Sequence, residues 1–385
     1  MVQQQLLDLR QAIDHLDDQL LQIFSQRAQL VQMVAQWKQK NNYPFYDPNR
    51  ENQIVDRILK NNEGPLNQET LAPLFKSVIH YFREWEKKSS LRKERKKFKL
   101  TKQRVGIIGL GLLGASTALC LKDILPEISI SGFDPIQPSH PELQSIVTLH
   151  HQIDSIFDCD VIILACPPLE IEKILRTHAG RFAGKLVIDY ASTKKNIFQA
   201  LHSAEKNFYF AGGHPIAGKS VHGNLAAEKG LFIQRPFVLC FDHLPQDQWP
   251  ELPKILLEEF LQTLGSVPTQ MSAEQHDQVF AYTSHLPQFL STTLTLLIQQ
   301  EVTDKKQPLV FGPALQDLTR LATSDSKMWK DVVNVNQENI LIAMDAMMKK
   351  LEQMRESVLK NDFSKEFALA KNFKENDLNP NKEQK

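Results

Sequence analysis

Two periodicities divide this chain. Residues 3–40 contain no Gly or Pro, and their apolar positions (Leu6, Leu9, Ile13, Leu16, Leu20, Phe24, Val31, Val34) recur at helical spacing. That spacing predicts one long helix. Pro44 and Pro48 interrupt it, a second helix is predicted from Arg50 to Asn61, Gly64-Pro65 ends that, and a third runs from Gln68 to Lys88. Three helices with so long a first member cannot close a core by themselves, so a homodimer is expected. From Arg104 the pattern changes. Short apolar runs (Val105–Ile108, Ile128–Phe133, Val161–Cys166, Leu186–Tyr190, Phe208–Gly212) alternate with helical segments, the signature of a doubly wound sheet. After Gly265 strands are expected to stop and helices to dominate: Ala273–Glu301, Ala314–Leu321 and Met328–Leu359. The fold class is therefore multidomain, α and α/β. The divisions are a three-helix domain over 1–92, a basic linker over 93–103, an α/β domain over 104–265, a helical domain over 266–370, and a polar tail over 371–385 read as disordered.

Composition narrows the classes. Basic and acidic residues balance at 45 each, so no global field argues for nucleic acid. Residues 87–104 carry ten basic residues and one acid, which at a domain boundary reads as a solvated linker. The four cysteines (Cys120, Cys159, Cys166, Cys240) sit in apolar surroundings without CxxC spacing, as reduced core thiols do. Cys166, near the end of a predicted strand, is read as packing. No apolar run is long enough to span a bilayer and none resembles a signal peptide, so a cytoplasmic protein with no membrane partner is expected. No His/Cys/carboxylate cluster has metal-ligand spacing, and no metal is expected.

Gly109-Leu110-Gly111-Leu112-Leu113-Gly114 follows an apolar strand, opens a helical segment, and is followed by a second strand ending in Asp134, twenty residues after the last glycine. That is a full dinucleotide fingerprint. Gly109 permits the tight turn, Gly111 lets backbone approach the pyrophosphate, Gly114 allows close helix–strand packing, and Asp134 takes the ribose. Asp134 is followed by Pro135-Ile136-Gln137 with no cation placed for a 2′-phosphate, and an ionised carboxylate would repel one. NAD is favoured over NADP.

On the first helix, Arg27 and Lys38 are eleven residues apart and project within about 20° of each other, whereas Arg10 points about 100° away from Arg27. A cation on each of two faces could serve two pockets, one in each subunit of a dimer. Asp47, Arg50 and Glu51 follow at the start of the second helix, and Glu86 lies near the end of the third. Through Leu9-Arg10, Arg27, Lys38, Asp47-Pro48-Asn49-Arg50-Glu51 and Leu74-Phe75, the first 90 or so residues resemble the all-helical chorismate mutase family. The resemblance implies that Arg27 and Arg10 of a second subunit clamp the two carboxylates of chorismate, with Arg50 adding positive charge and Asp47 in the substrate site. It also implies that Lys38 hydrogen-bonds the ether oxygen and Glu51 the substrate hydroxyl. A Claisen rearrangement needs only a folded substrate and charge stabilisation at the breaking C–O bond, so such a site suffices. Two positions depart from the pattern. Glu86 stands where some members have Gln and could donate only when protonated, and Phe82 replaces a small polar residue.

Three more clusters lie in the α/β half and beyond: Asp189-Tyr190-Ala191-Ser192-Thr193-Lys194 after a strand; Gly212-Gly213-His214-Pro215-Ile216-Ala217-Gly218; and Asp317-Leu318-Thr319-Arg320-Leu321-Ala322 with Ser324-Asp325 and Trp329. His214 sits at a strand end, where open α/β sheets bind ligands. In this order after the fingerprint, and with His276-Asp277 and Ser284-His285-Leu286-Pro287, the clusters resemble the prephenate dehydrogenase family over about residues 104–360. The resemblance implies an NAD-binding Rossmann domain, a C-terminal helical dimerisation domain, and oxidative decarboxylation of prephenate to 4-hydroxyphenylpyruvate. His214 would accept a hydrogen bond from the C4 hydroxyl, Ser192 would orient it, and Arg320 would bind a carboxylate. Ser220 stands where many relatives carry Glu, and Gln288 where a second histidine is common, both near the expected substrate.

The two resemblances support one another, because chorismate mutase makes prephenate and a dehydrogenase would consume it. The reading is a bifunctional enzyme of tyrosine biosynthesis. The alternatives are a cyclohexadienyl or arogenate dehydrogenase carrying a non-catalytic mutase-like domain, and an NAD-binding regulatory protein. A β-hydroxyacid dehydrogenase would want a lysine on the helix from His276 to Glu301, which has none. Feedback inhibition by tyrosine is common in such enzymes and, with no regulatory domain expected, would act at the dehydrogenase site.

Overall fold

A computed structural model of the chain describes residues 2–40, 48–95, 98–218, 223–303, 305, 308–324 and 326–378. They divide into two compact units, Met1–Thr101 with Ile124–Glu127, and Lys102–Asp123 with Ile128–Lys385. Among the described residues no helix is long and apolar enough to cross a membrane.

The first unit is helical, with α1 (Val2–Lys40), α2 (Pro48–Lys60) and α3 (Gln68–Arg95). Its small core includes Ala35, Val55, Leu71 and Ile79. The apolar stripe of α1 is left uncovered within the protomer: Leu9 is 60%, Ile13 57% and Leu16 57% exposed. A stripe of that length is stable in water only against another surface. The segment read as a basic linker is partly regular structure. The third helix continues to Arg95, and a 3-10 turn over Lys99–Lys102 buries Leu100 completely. An apolar residue inside a charged run is enough to anchor the turn.

The second unit is built on one sheet of order β3-β2-β1-β4-β5-β6-β7-β8. The strands are β1 (Arg104–Ile108), β2 (Ser129–Phe133), β3 (Thr148–His150), β4 (Val161–Leu164), β5 (Leu186–Asp189), β6 (Tyr209–Pro215), β7 (Pro236–Cys240) and β8 (Val267–Gln270). All neighbours are parallel except β6 and β7. The first six strands have the doubly wound order, whose switch point between β1 and β4 opens a crevice at their carboxyl ends. β4 and β5 are buried at every residue, as continuous apolar strands covered on both faces should be. The helices of this half are α4 (Leu112–Ile124), α5 (Leu143–Ile146), α6 (Pro168–His178), α7 (Lys195–Ala200) and α8 (Glu251–Leu264).

The strands do not stop at Gly265. Gly265 closes α8 in the left-handed conformation (φ 69°), and Val267–Gln270 then adds β8 to the edge. All four β8 residues are exposed, so an edge strand of this composition carries no apolar run to read. Beyond it lie α9 (Ala273–Phe280), α10 (Leu286–Ile298), α11 (Pro313–Thr319), α12 (Ser326–Leu359) and α13 (Ser364–Asn376). A π-helical turn, Ala281–His285, joins α9 to α10. The expected disorder from residue 371 is corrected over 371–376, which complete α13. Phe363 packs tilted against Phe367 at 5.5 Å, Ser357 Oγ donates to Glu366 Oε1 at 3.2 Å, and Lys371 faces Glu375 one turn on.

Candidate active sites

In the helical unit, Arg27 lies partly buried on α1 with its guanidinium 4.8 Å from the centroid of the Phe82 ring on α3. Its Nε is buried and makes no hydrogen bond among the described residues. Burial, and then the nearby Arg57, pull its pKa below the ordinary value. A desolvated cation with an unused donor is poised for an anion. Phe82, the departure noted above, is thus the surface on which Arg27 rests; Phe24 packs tilted against the same ring, centroids 6.0 Å apart. Glu51 is held by Arg83, whose Nη1 donates to Oε1 at 2.8 Å, while Arg83 Nη2 lies 2.9 Å from His80 Nδ1. Arg83 was not among the sequence candidates; its place on α3, next to Phe82, is the one signal that pointed there. Lys38 is half-buried on α1, whereas Arg10 and Arg50 are exposed on α1 and α2. Asp47 and the side chain of Glu86 lie outside the described residues.

In the second unit the fingerprint folds as a strand–turn–helix. Gly109 has φ 94°, and a Cβ there would meet Ala165 O at 2.6 Å. A Cβ on Gly114 would lie 1.9 Å from Gly109 O, so the first turn of α4 can sit on the strand end only with glycine there. Beside Gly111 nothing lies within 4 Å of the Cβ position, which leaves room at the helix N-terminus for a phosphate. Leu110, Leu112 and Leu113 complete this turn, with Leu110 buried. Asp134 Oδ2 accepts from Leu110 N at 2.7 Å and Oδ1 from Ile136 N at 2.8 Å, which fixes an acceptor at the end of β2. This cradle and acceptor fit a dinucleotide with an unmodified ribose.

The loop after β5 and the end of β6 form the rest. Asp189 and Gly212 are register partners, so Ser192, three residues past β5, and His214, near the end of β6, leave adjacent strands. A Cβ on Gly213 would lie 2.5 Å from Asp189 O, and this close approach lets β6 carry His214 past the loop. Asp189 and Lys194 make an ion pair with both side chains fully buried, and Asp189 Oδ1 also accepts from Ala191 N at 2.8 Å.

His214 Nδ1 lies 2.8 Å from His276 Nε2, and His276 Nδ1 lies 2.7 Å from Asp277 Oδ1. Asp277 also accepts from the main chain at the start of α7, Lys194 N to Oδ1 and Lys195 N to Oδ2, each at 2.8 Å. The His276 ring stacks on Phe280 at 4.4 Å, and His214 lies 4.7 Å from the same ring. Burial first, then His276, Lys194 and His285, push His214 well below the ordinary histidine pKa, so its neutral form dominates at neutral pH. The sequence named His276-Asp277 as a family match, but the local pattern could not show that they meet a residue 62 positions away.

On the helical side, Gln288 is buried and engaged internally. Its Nε2 donates to Leu321 O at 2.8 Å, and Ser324 Oγ donates to its Oε1 at 3.0 Å. It therefore pins the 3-10 turn Arg320–Thr323 against α10, with exposed Arg320 at the head of that turn. Trp329 packs edge-on to His285 and Phe289, each 5.8 Å away, with a buried Nε1 that has no hydrogen-bond partner among the described residues. Ser220 and Asp325 lie outside the described residues. Among the described residues, no group of His, Cys, Asp and Glu is arranged to hold a metal ion.

Comparison with known proteins covers both units. Residues 9–87 match the family model of type II chorismate mutases, 117–264 that of the nucleotide-binding domain of prephenate dehydrogenases, and 272–375 that of their dimerisation domain. The prephenate dehydrogenase of Lactococcus lactis is 33% identical over 276 residues, spanning 68% of this chain and 72% of the relative. The T-protein of Haemophilus influenzae is 24% identical over 349 residues, spanning 88% and 83%. Among solved structures, the A. aeolicus prephenate dehydrogenase in complex with hydroxyphenyl propionate and NAD+ superposes with a TM-score of 0.59 at 27% identity, over 71% of this chain and 95% of that one.

Proposed function

The chain belongs to the prephenate dehydrogenase family, with a chorismate mutase domain at its N-terminal side, and from that premise we infer how its residues divide the work. It is a bifunctional enzyme of tyrosine biosynthesis: it rearranges chorismate to prephenate and oxidatively decarboxylates prephenate to 4-hydroxyphenylpyruvate. The observation that supports the assignment of residues is that Ser192 and His214 leave the adjacent strands β5 and β6 at the carboxyl end of the parallel sheet, the end at which the fingerprint turn follows β1.

In the dehydrogenase, Gly109, Gly111 and Gly114 seat the NAD pyrophosphate on α4 and Asp134 takes the adenosine ribose. NAD held there would supply the acceptor for the hydride from C4 of prephenate. His214 accepts a hydrogen bond from the C4 hydroxyl, Ser192 orients that hydroxyl, and Arg320 binds a substrate carboxylate. As the C4–H pair leaves as hydride, the bond to the ring carboxylate breaks; CO2 departs, its electron pair aromatises the ring, and the hydroxyl remains as the phenol. Gln288 serves indirectly, by pinning the turn that carries Arg320.

In the mutase, Arg27 binds one carboxylate of chorismate and Arg10 of a second subunit the other, while Arg50 and Asp47 line the site. Lys38 stabilises the ether oxygen, assisted by Glu86, and Glu51 meets the substrate hydroxyl. The uncovered stripe of α1 is covered by that second subunit, and the C-terminal helices supply a second dimer contact. The protein works in the cytoplasm, and tyrosine inhibits at the dehydrogenase site. Two variants test the division. Lys38→Ala should abolish mutase turnover and leave dehydrogenase turnover intact. His214→Asn should abolish dehydrogenase turnover and leave NAD affinity intact; unchanged turnover in either variant removes that residue from its mechanism.

A further inference from the structure

A chain of hydrogen bonds runs from His214 to Asp277, and we propose that His276 and Asp277 are positioning residues that lock His214 in its Nδ1–H tautomer, so that Nε2 is the nitrogen offered to the substrate hydroxyl. The proposal deepens the reading of His214 given above and rests on it.

The direction of the chain follows from its far end. An ionised carboxylate only accepts hydrogen bonds. Asp277 is fixed as an acceptor by two main-chain donors, Lys194 N and Lys195 N. The third group on it, His276 Nδ1 at 2.7 Å, must therefore carry a hydrogen. Neutral imidazole bears one N–H, so His276 Nε2 is an acceptor. His214 Nδ1, 2.8 Å from that nitrogen, must then be the donor, and the lone pair of neutral His214 is left on Nε2.

The parts are themselves held. Ser272 and Gln275 form a capping box at the start of α9, and Asp242 also accepts from Ala273 N. Asn336 stands at a non-helical residue of α12 (φ −116°, ψ 25°), and its Nδ2 donates to Asp277 O at 2.8 Å. His276 and Asp277 are buried and Phe280 stacks on the His276 ring, so neither residue can turn away. The arrangement also tolerates both states of His214. If Nε2 takes up a proton, Nδ1–H still donates to His276, and no group must reorient; preorganisation of this kind lowers a barrier.

The test uses the full-length enzyme labelled with 15N in its histidine rings, with the His214 signals identified by their loss in His214→Asn. In the wild type near pH 8, His214 Nε2 should appear as an unprotonated nitrogen; a proton on Nε2 of the neutral ring overturns the proposal. Two substitutions then separate positioning from packing. His276→Gln keeps an acceptor toward His214 and a donor toward Asp277, and should retain the tautomer and most of kcat. His276→Phe keeps the ring against Phe280 but has no acceptor. It should mix the tautomers and lower kcat roughly tenfold to a hundredfold, short of the roughly 10²–10⁴ carried by an acid–base group itself. NAD affinity should not move. Equal kcat values in the two variants, or an unchanged His214 tautomer in His276→Phe, overturn the proposal. Turnover retained in His214→Asn would instead overturn the role of His214, while the ring spectra would still report whether the lock exists.

Discussion

Lys194→Met should be among the most damaging single changes in the second unit. Lys194 and Asp189 are an ion pair with both side chains fully buried, at the carboxyl end of β5 beneath the loop that carries Ser192. Burial pushes the Asp189 carboxyl up, and Lys194 is the largest influence opposing that. Removing the ammonium leaves in the interior a carboxylate that accepts from Ala191 N at 2.8 Å but has lost its counter-ion. Breaking a buried pair from one side costs about 3–5 kcal/mol, a large share of a typical stability of about 5–15 kcal/mol. The deficit should shrink as pH falls, because an unpaired Asp189 has its folded pKa raised above its unfolded value and becomes neutral by taking up a proton. Urea unfolding of the full chain, followed by loss of dehydrogenase activity, should show a midpoint lowered by more than about 1 M. Adding Asp189→Asn should recover part of the loss, since the uncompensated charge is then gone. A single variant within 1 kcal/mol of the wild type, or a double variant that loses the sum of both singles, would refute the reasoning.

Gly114→Ala places a Cβ 1.9 Å from Gly109 O, so NAD binding should be lost while mutase turnover survives; isothermal titration and a chorismate assay check both halves. Stability should also fall in mild acid. Burial brings His285 to about 4, and His214 and His276 are lowered too, whereas an unfolded histidine titrates near about 6.5. The unfolded chain takes up protons first, so stability present above about pH 6.5 is lost as pH falls toward about 4. A thermal midpoint that is flat or rising from pH 7 to pH 5 would contradict this. The dehydrogenase rate should lose its acid limb below, not at, the ordinary histidine pKa, as kcat/KM profiles would show.

Much of this architecture was legible in the sequence because it is written in local patterns. The glycine fingerprint needs neighbouring residues only, and the buried parallel strands announce themselves as continuous apolar runs. The long first helix and its need for a partner follow from one stripe, Leu6 to Val34, on an unbroken helical period. What escaped depends on distance or on weak local signal. β8 has four exposed residues and belongs to the sheet through pairing with β7 alone. Leu100 is one apolar residue in a basic run, yet it is fully buried. α13 is polar in composition, and its aromatic contact is at Phe363 and Phe367. The partners of the candidate residues were hidden for the same reason. Glu51 is held by Arg83 on another helix, Gln288 points to Leu321 and Ser324, and His214 meets His276 across 62 positions. A motif gives the residue types, whereas the hydrogen bonds that set their chemistry close only when the chain folds.

The central claim is that one chain carries both reactions in sequence. The most direct measurement supplies purified full-length enzyme with chorismate and NAD and follows NADH and 4-hydroxyphenylpyruvate together. Both products should appear in equal amounts, and Lys38→Ala should abolish them from chorismate but not from added prephenate. Turnover of prephenate by the wild-type enzyme with none from chorismate would contradict the account and reduce the N-terminal helices to a dimerising element.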